Sequence, residues 1–196
     1  MKPKRLISLL IAVCMMITML PLSAVTAFAA DRSTEPETRV DGFLCYYTVN
    51  ADNTATITHF IQPDYIPSYS VDIPETLDDK YTVTAIGPYA FNYCTHLESV
   101  TIPQSVTSIG NGAFWQCHGL QSLTINDAAT SIGYGVFCGC ISLTTLSLGE
   151  NITTIGEDAF NSCYDLTNVT IPEKVKAIIP GTFDYCNHLE YIIHPA

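Results

Sequence analysis

Apolar residues return along most of this chain with a period of 23 positions. The pair Ile86-Gly87 starts the pattern and recurs at residues 109, 132 and 155; a fifth copy starts at Ile178, with Ile179 in place of the glycine. Each copy keeps a Phe, a Cys, a Leu and an aliphatic position. These positions hold Phe91, Phe114, Phe137, Phe160 and Phe183; Cys94, Cys117, Cys140, Cys163 and Cys186; Leu97, Leu120, Leu143, Leu166 and Leu189; and Val100, Leu123, Leu146, Val169 and Ile192. Copies in phase, without an insertion, predict a stack of equivalent coils.

The end of each copy predicts a short strand. The spacing Leu-x-x-Val-x-Ile closes on a two-residue alternation, which points alternate side chains of a strand inward. Pro103 and Pro172 follow directly, and the strand must stop there because proline cannot donate to a ladder. The glycines after the first Ile of four copies, Gly87, Gly110, Gly133 and Gly156, predict a turn back. A single coil cannot bury its apolar positions, whereas coils stacked about 4.8 Å apart bury each one against its own copy.

Residues 40–85 have the features of an N-terminal cap for this stack. Residues 43–49 and 55–60 read as two paired strands around a turn at Asp52-Asn53, which predicts a hairpin. The Val-Asp-Ile-Pro of residues 71–74 resembles the end of a coil. We therefore expect the cap to close the first coil against water.

The repeats occupy residues 86–196, and the last copy, which begins at residue 178, is incomplete. Its pattern degenerates after Tyr191, and no polar closing segment follows. An uncovered strand edge can pair with another chain. Self-association through this open C-terminal edge is therefore one expectation.

The first 29 residues have the layout of a secretory signal peptide. A basic start is followed by an apolar run from Leu6 to Leu22, and Ala27-Phe28-Ala29 supplies small residues before a cut. An uncleaved membrane anchor is the alternative, although the apolar run is shorter than the usual span of about 20 residues. The polar residues 30–39, which include Pro36, are expected to form a disordered linker.

The repeat unit Ile-Gly-x-x-Ala-Phe-x-x-Cys-x-x-Leu-x-x-Val-x-Ile-Pro-x-x-Val resembles the BspA-like class of bacterial leucine-rich repeats, which is also found in treponemal surface proteins. The resemblance implies an α/β-type solenoid, a right-handed coil that is mostly β, with irregular or short helical convex segments and an N-terminal β-hairpin cap. It departs from the commoner repeat class, which carries an Asn ladder after the strand. That region here holds Ser105, Ala128, Asn151 and Lys174.

Charge limits the partners of the mature chain. Apolar residues make up 47% of the chain and charged residues 14%, so it can bury a core. Removing the signal peptide takes away three of the eight basic residues, which leaves five against 19 acidic residues and a net charge near −14. Nucleic acid and anionic membrane surfaces are therefore poor partners, and we expect no membrane insertion after signal cleavage.

The cysteines are the strongest candidates for chemistry. The five repeat cysteines fall in one position of successive coils, where small apolar thiols can fill a tight inward space. Disulfides between neighbours and a metal site are alternatives, although a ladder spreads metal ligands along a line. Cys138 lies outside that position and is expected to be exposed and reactive, while Cys45 is a candidate core residue. The odd number of thiols left after signal cleavage leaves at least one free or paired between molecules.

Catalysis is not expected. No histidine lies in a repeat phase that also places a nucleophile and an acidic orienter beside it. No phosphate loop, EF-hand or zinc signature is present, so we predict no cofactor and no metal. His96 and His188 share a position but lie four coils apart, roughly 19 Å at the strand spacing.

Two sets of outward side chains are candidate binding residues. Aromatic residues cluster near the Cys position, at Tyr93, Trp115, Tyr164 and Tyr185, and such residues are favoured at interfaces. Packing between coils is the alternative explanation for them. The strands carry a column of outward hydroxyl groups that includes Thr101, Thr124 and Thr170. Strand propensity and solubility explain that column equally simply.

The resemblance implies a secreted or cell-surface binding module that is not an enzyme. Relatives of this class are associated with adhesion to host matrix proteins, host cells or other bacteria. The expected partner is a protein or glycan macromolecule on a host or bacterial surface. A self-assembling surface module, or an accessory domain without its own ligand, are the alternatives.

Overall fold

The N-terminal part of the fold is a small sheet that covers the first coil. The structure, a computed structural model, describes residues 35–62 and 66–194, so the predicted signal peptide lies outside the described residues. The sheet begins with β1 (Glu37–Val40), β2 (Phe43–Val49) and β3 (Thr54–Phe60), which pair antiparallel in chain order. The predicted hairpin is therefore present, with β2 and β3 as its strands.

The repeats begin earlier than the Ile-Gly pattern indicates. β4 (Tyr69–Asp72), β5 (Thr76–Leu77) and β6 (Tyr81–Ile86) follow the hairpin. β4 is the first rung of the strand stack that runs through the coils, and β6 pairs in parallel with β3. Residues 69–85, which the sequence pattern places in the cap, therefore already form part of the stack.

Two parallel ladders of strands continue through the coils. The strands in chain order are β7 (Leu97–Thr101), β8 (Ser108–Ile109), β9 (Ser122–Thr124), β10 (Ser131–Ile132), β11 (Thr145–Ser147), β12 (Thr154–Ile155), β13 (Asn168–Thr170) and β14 (Tyr191–Ile193). β4, β7, β9 and β11 form one ladder, and β13 pairs with β14. β6, β8, β10 and β12 form the other, which the hairpin extends. Equivalent residues pair throughout; Val100, for example, lies opposite Leu123.

The core lies between these ladders and the turn segments, and a column of phenylalanine rings runs along it. Neighbouring rings from Phe91 to Phe183 stack with centroids 5.1–5.6 Å apart. The cap supplies the first member, because Phe60 stacks on Phe91 at 4.8 Å. Phe43 and Tyr69 pack around Phe60. The cap thus closes the column with aromatic rings.

Two expectations from the sequence need correction. Residues 37–39 are not disordered, because they belong to β1 and pair with β2. The described convex segments are irregular, which is one of the two forms expected: they contain turns with recurring left-handed residues and no helix. The strand register also survives beyond Tyr191: Ile193 pairs with Thr170, so an apolar side chain takes an outward hydroxyl position.

Candidate functional site

The turn segment of each coil contains a third ladder of hydrogen bonds. Backbone N–H groups of one coil donate to carbonyl groups of the next, as from Tyr93 to Trp115 at 2.8 Å and from Gln116 to Cys138 at 2.8 Å. The same bond joins Gly139 to Asn161. Residues that alternate between right- and left-handed conformations turn their N–H groups in this way. The turn segments are thus held by the backbone, whatever side chain they carry.

Two positions in each coil have the left-handed conformation. The first is filled by Tyr89, Gly112, Gly135, Asp158 and Gly181; the second by Tyr93, Gln116, Gly139, Ser162 and Tyr185. Left-handed backbone costs a residue other than glycine about 1–2 kcal/mol. Gly139 shows that glycine serves at the second position. We name this second column the tyrosine edge.

Two tyrosines of the tyrosine edge combine a strained backbone with an exposed side chain. Tyr93 has φ 57° and is 40% exposed, and Tyr185 has φ 59° and is 68% exposed. The free energy gained by burying these side chains therefore offsets little of the cost of the left-handed backbone, and it offsets least at Tyr185. Observed strain of this kind motivates a functional hypothesis.

Trp115 differs from the exposed tyrosines because it packs between coils. Its ring makes edge contacts with Tyr89 at 6.1 Å and with Tyr93 at 5.8 Å, and the side chain is half-buried. The Tyr89 ring in turn fills the space left by Gly112, where an added Cβ would come within 2.3 Å of the ring. Packing therefore accounts for Trp115 at least in part.

The four predicted aromatic residues do not form one cluster. Tyr93 and Trp115 are in ring contact, whereas Tyr164 and Tyr185 have no ring contact in the described part of the chain. Tyr164 is 41% exposed. Tyr89, which contacts Trp115, is the one aromatic residue in a column that otherwise contains three glycines and Asp158.

The predicted hydroxyl column lies on the outer face of the strand ladder. Thr101, Thr124 and Thr170 are all exposed. A shallow depression of about 370 Å³ lies over β7 and β9, between Thr101 and Thr124. It is bordered by Gln104 and Asn126 at the ends of the strands. This face and the aromatic side chains are thus separate candidate surfaces.

The repeat cysteines form a ladder of free thiols. Four of the five thiols, all but Cys94, donate to the Phe carbonyl of the preceding coil, as from Cys117 to Phe91 at 3.0 Å and from Cys163 to Phe137 at 3.3 Å. Burial raises the pKa of the Cys117 thiol and raises that of Cys94 to about 12. These thiols fill inward positions, as the pattern predicts.

Cys138 does not have the character predicted for it. It is half-buried, and burial raises the pKa of its thiol to about 11, although a hydrogen bond with Trp115 acts in the opposite direction. A thiol with a raised pKa carries little thiolate at neutral pH and reacts slowly. Cys45 is fully buried and belongs to the core, as expected.

Charge and metal chemistry limit what these surfaces can bind. No Lys or Arg occurs between Tyr81 and Glu173, whereas acidic residues are spread through that stretch. Among residues 35–62 and 66–194, no three His, Cys, Asp or Glu side chains come together as a metal site. The same residues contain no helix with the length and hydrophobicity to cross a membrane.

Stacked short strands with a repeating Leu, Phe and Cys core define a leucine-rich-repeat solenoid. The model of the BspA type leucine rich repeat region matches residues 69–195 in six copies. The chain therefore belongs to the BspA-type leucine-rich repeat family. The match begins at residue 69, which is also the first residue of β4. No curated protein matches the chain.

Solved structures of bacterial repeat proteins are similar to this chain. A leucine-rich cell surface protein from Faecalibacterium prausnitzii is 33% identical over 84% of this chain and 44% of its own, with a TM-score of 0.65. A leucine-rich repeat protein from Bacteroides ovatus is 32% identical over 76% of this chain and 39% of its own, with a TM-score of 0.69. The chain thus spans less than half the length of both. A repeat protein from T. pallidum, 24% identical over 81% of this chain and 82% of its own, shares the fold with a TM-score of 0.64.

Proposed function

We propose that this protein is a secreted, cell-surface binding module that adheres to a macromolecule through the tyrosine edge. The observation that carries the proposal is the combination of left-handed backbone and exposed aromatic side chain at Tyr93 and Tyr185. Neither side chain is needed for the coil to form, because glycine fills the same position at Gly139. Tyrosine is an effective anchor because it offers a large contact area at a small entropic cost.

The relatives support a surface role. One of the similar structures is described as a cell surface protein. The N-terminal signal-peptide pattern agrees with export, and the acidic repeats favour partners without strong negative charge. Adhesion to matrix proteins, host cells or other bacteria follows as the specific form of the proposal.

The test separates binding from folding by replacing both tyrosines with glycine. Residues 30–196 would be applied to an array of matrix proteins, mucins and bacterial cells. We expect a saturable hit that Tyr93→Gly and Tyr185→Gly weaken. We also expect unfolding free energy to rise for Tyr185→Gly by up to about 1–2 kcal/mol, as the strain is released. Tyr93→Gly should be near neutral, because it also loses an aromatic contact of about 0.5–1.5 kcal/mol.

Asp158→Gly is the matched control. Asp158 has the same left-handed backbone, φ 55°, but belongs to the other column, where Gly135 and Gly181 stand. It should leave binding unchanged. Binding that survives both tyrosine substitutions, or a clear loss of stability in Tyr185→Gly, would contradict the proposal.

Self-association is a second candidate, favoured by the last described coil. Ile178, Ile179, Ile192 and Ile193 are between 39% and 51% exposed there. Ile193 occupies the outward position that Thr170 fills in the preceding coil. If this surface drives assembly, light scattering will show a mass that rises with concentration, and Ile193→Thr will reduce it. A monomer at every concentration would reject this candidate.

A further inference from the structure

We propose that the tyrosine edge binds a neutral, extended oligosaccharide that lies along the stacking direction of the coils. The inference rests on the proposed function, because it names the class of ligand for the same surface. It depends on three features: the spacing of the two tyrosines, the polar groups between them, and the charge of the surrounding coils.

The spacing suits a linear polymer. Tyr93 and Tyr185 occupy the same position four coils apart, roughly 19 Å at the strand spacing of about 4.8 Å. On this side of the coils the neighbouring phenylalanine rings lie 5.1–5.6 Å apart. A pyranose unit lengthens an extended β-linked chain by a similar distance. One sugar per coil would therefore let a short oligosaccharide reach both tyrosines.

The polar groups between the tyrosines suit sugar hydroxyl groups. A Cβ added to Gly139 would lie 2.5 Å from the Gln116 Nε2 atom, so this amide lies directly against the bare backbone of Gly139. The Gln116 Oε1 atom bonds to the ring of His118 at 2.7 Å, which fixes the side chain. The Ser162 hydroxyl follows in the next coil and donates to the Asn161 Oδ1 atom at 2.7 Å. The Gln116 amide and the Ser162 hydroxyl thus lie between the two tyrosine side chains of the tyrosine edge.

The composition of the coils favours a sugar over a protein partner. Between residues 86 and 177 every large apolar side chain that is exposed is a tyrosine: Tyr93, Tyr134 and Tyr164. The centre of a protein interface is enriched in Arg, Met and Phe as well as Tyr and Trp. None of the exposed residues in this stretch is an arginine, because the sequence has none there. Tyrosine faces can instead stack on the C–H faces of a pyranose ring.

The charge of the coils selects among glycans. The stretch from Tyr81 to Glu173 has acidic residues and no basic ones, so it repels sulfated or uronic-acid chains. The affinity for a neutral glycan is not reduced by this repulsion, and a neutral glycan needs no opposite charge on the protein. The ligand is therefore a neutral glycan, with hydrogen bonds and stacking as its main contacts.

The test is calorimetric titration of residues 30–196 with defined oligosaccharides. The probes are β-linked disaccharides and hexasaccharides of glucose and of N-acetylglucosamine, with a hyaluronan hexasaccharide as the anionic comparison. We expect a neutral hexasaccharide to bind about tenfold or more tightly than its disaccharide, a gap near 1.4 kcal/mol, and hyaluronan not to bind. Tyr93→Gly or Tyr185→Gly should bring the hexasaccharide down to the affinity of the disaccharide. Tyr134→Ser, an exposed tyrosine outside the tyrosine edge, should change nothing.

The outcomes separate this inference from the proposed function. If the array yields a tyrosine-dependent protein partner that still binds after periodate oxidation and enzymatic deglycosylation, the glycan inference is overturned and the binding module stands. If neither tyrosine substitution changes the affinity for the hexasaccharide, the assignment of the site to the tyrosine edge is overturned. If neither neutral glycans nor any array component binds, both proposals fail.

Discussion

At the scale of the residue, the repeat cysteine is selected by two demands at once. The position is buried in the coils from Cys94 to Cys163, so the side chain must be small and largely apolar. It also faces the Phe carbonyl of the preceding coil, to which Cys140 donates at 3.3 Å and Cys186 at 3.1 Å. An S–H group satisfies both demands, because it is a weak donor on a small apolar side chain. The ladder is therefore a structural use of free thiols.

Thiol labelling checks this account. In the native protein at pH 8 we expect iodoacetamide to modify Cys186 first, because this thiol is only half-buried and its interaction with the neighbouring Cys163 thiol lowers its pKa. Cys138 should react more slowly, since burial raises its pKa to about 11, and faster as the pH rises towards that value. Cys117 and Cys140 should stay unmodified until the protein unfolds. Peptide mass spectrometry identifies the sites, and early modification of Cys117 would refute the ladder.

At the scale of the element, the cap is fastened to the first coil by a carboxylate. Asp78 lies in the turn of the β5–β6 hairpin, with φ 52°. Its carboxylate accepts hydrogen bonds from the hydroxyls of Tyr47 in β2 and Thr38 in β1, and these bonds lower the pKa of Asp78. Burial and the contact with Asp78 raise the pKa of Tyr47 to about 12. Two strands of the cap, β1 and β2, thus meet the β5–β6 turn at one ionised group.

This arrangement predicts acid sensitivity. A carboxylate with a folded pKa below its unfolded value stabilises the fold above the unfolded pKa, near 3.9. That stabilisation is lost as the pH falls through the folded pKa. Unfolding free energy should therefore drop below about pH 4. Asp78→Asn tolerates the left-handed backbone, so it should unfold more easily at pH 6 and show a flatter pH dependence. Some pH dependence should persist in this variant, because hydrogen bonds from Thr54 also lower the pKa of Asp52. An unchanged acid profile in Asp78→Asn would refute this role.

The elements that the sequence predicts are those whose signal is periodic. The strand at β7, the Phe column and the inward thiols follow from residue types that recur every 23 positions. The left-handed positions do not follow from residue types. Tyr93, Gln116 and Gly139 share one backbone conformation without sharing a residue type. Their cause is a hydrogen bond to the next coil, which only the stacked structure contains.

The role of one polar residue, Asn126, could not be predicted from the repeat pattern for a related reason. Asn126 stands where other copies have Pro103 and Pro172, and it is buried. Its amide donates to the Pro103 carbonyl at 2.6 Å, and its Oδ1 atom accepts from the Ala128 N–H at 2.7 Å. One asparagine thus makes bonds within its own turn and to the preceding coil, although no Asn ladder exists in the sequence.

At the scale of the whole molecule, stability is shared between neighbouring coils. Each phenylalanine in the interior stacks on two others, whereas Phe183 contacts Phe160 alone and is only half-buried. In a stacked repeat, stability is close to a sum of coil terms and nearest-neighbour terms. The cost of losing a ring therefore depends on where in the stack the ring lies.

Two alanine substitutions measure this dependence. Phe114→Ala should lower the unfolding free energy by about 3–5 kcal/mol, because it opens a cavity and breaks two stacking contacts. Phe183→Ala should cost clearly less, since one contact is lost and water already reaches the site. Urea denaturation monitored by circular dichroism gives both values. Equal losses would contradict the dependence on position in the stack.

The coils between Tyr81 and Glu173 contain neither lysine nor arginine. Trypsin and proteases of its specificity cut only after those two residues, so this stretch offers them no bond to hydrolyse. Resistance of that kind does not depend on burial, and it persists when a coil opens or the whole chain unfolds. Digestion at Lys80 and Lys174 would release the central coils as one uncut fragment. The same composition that sets the charge of the surface thus protects the covalent chain in a protease-rich environment.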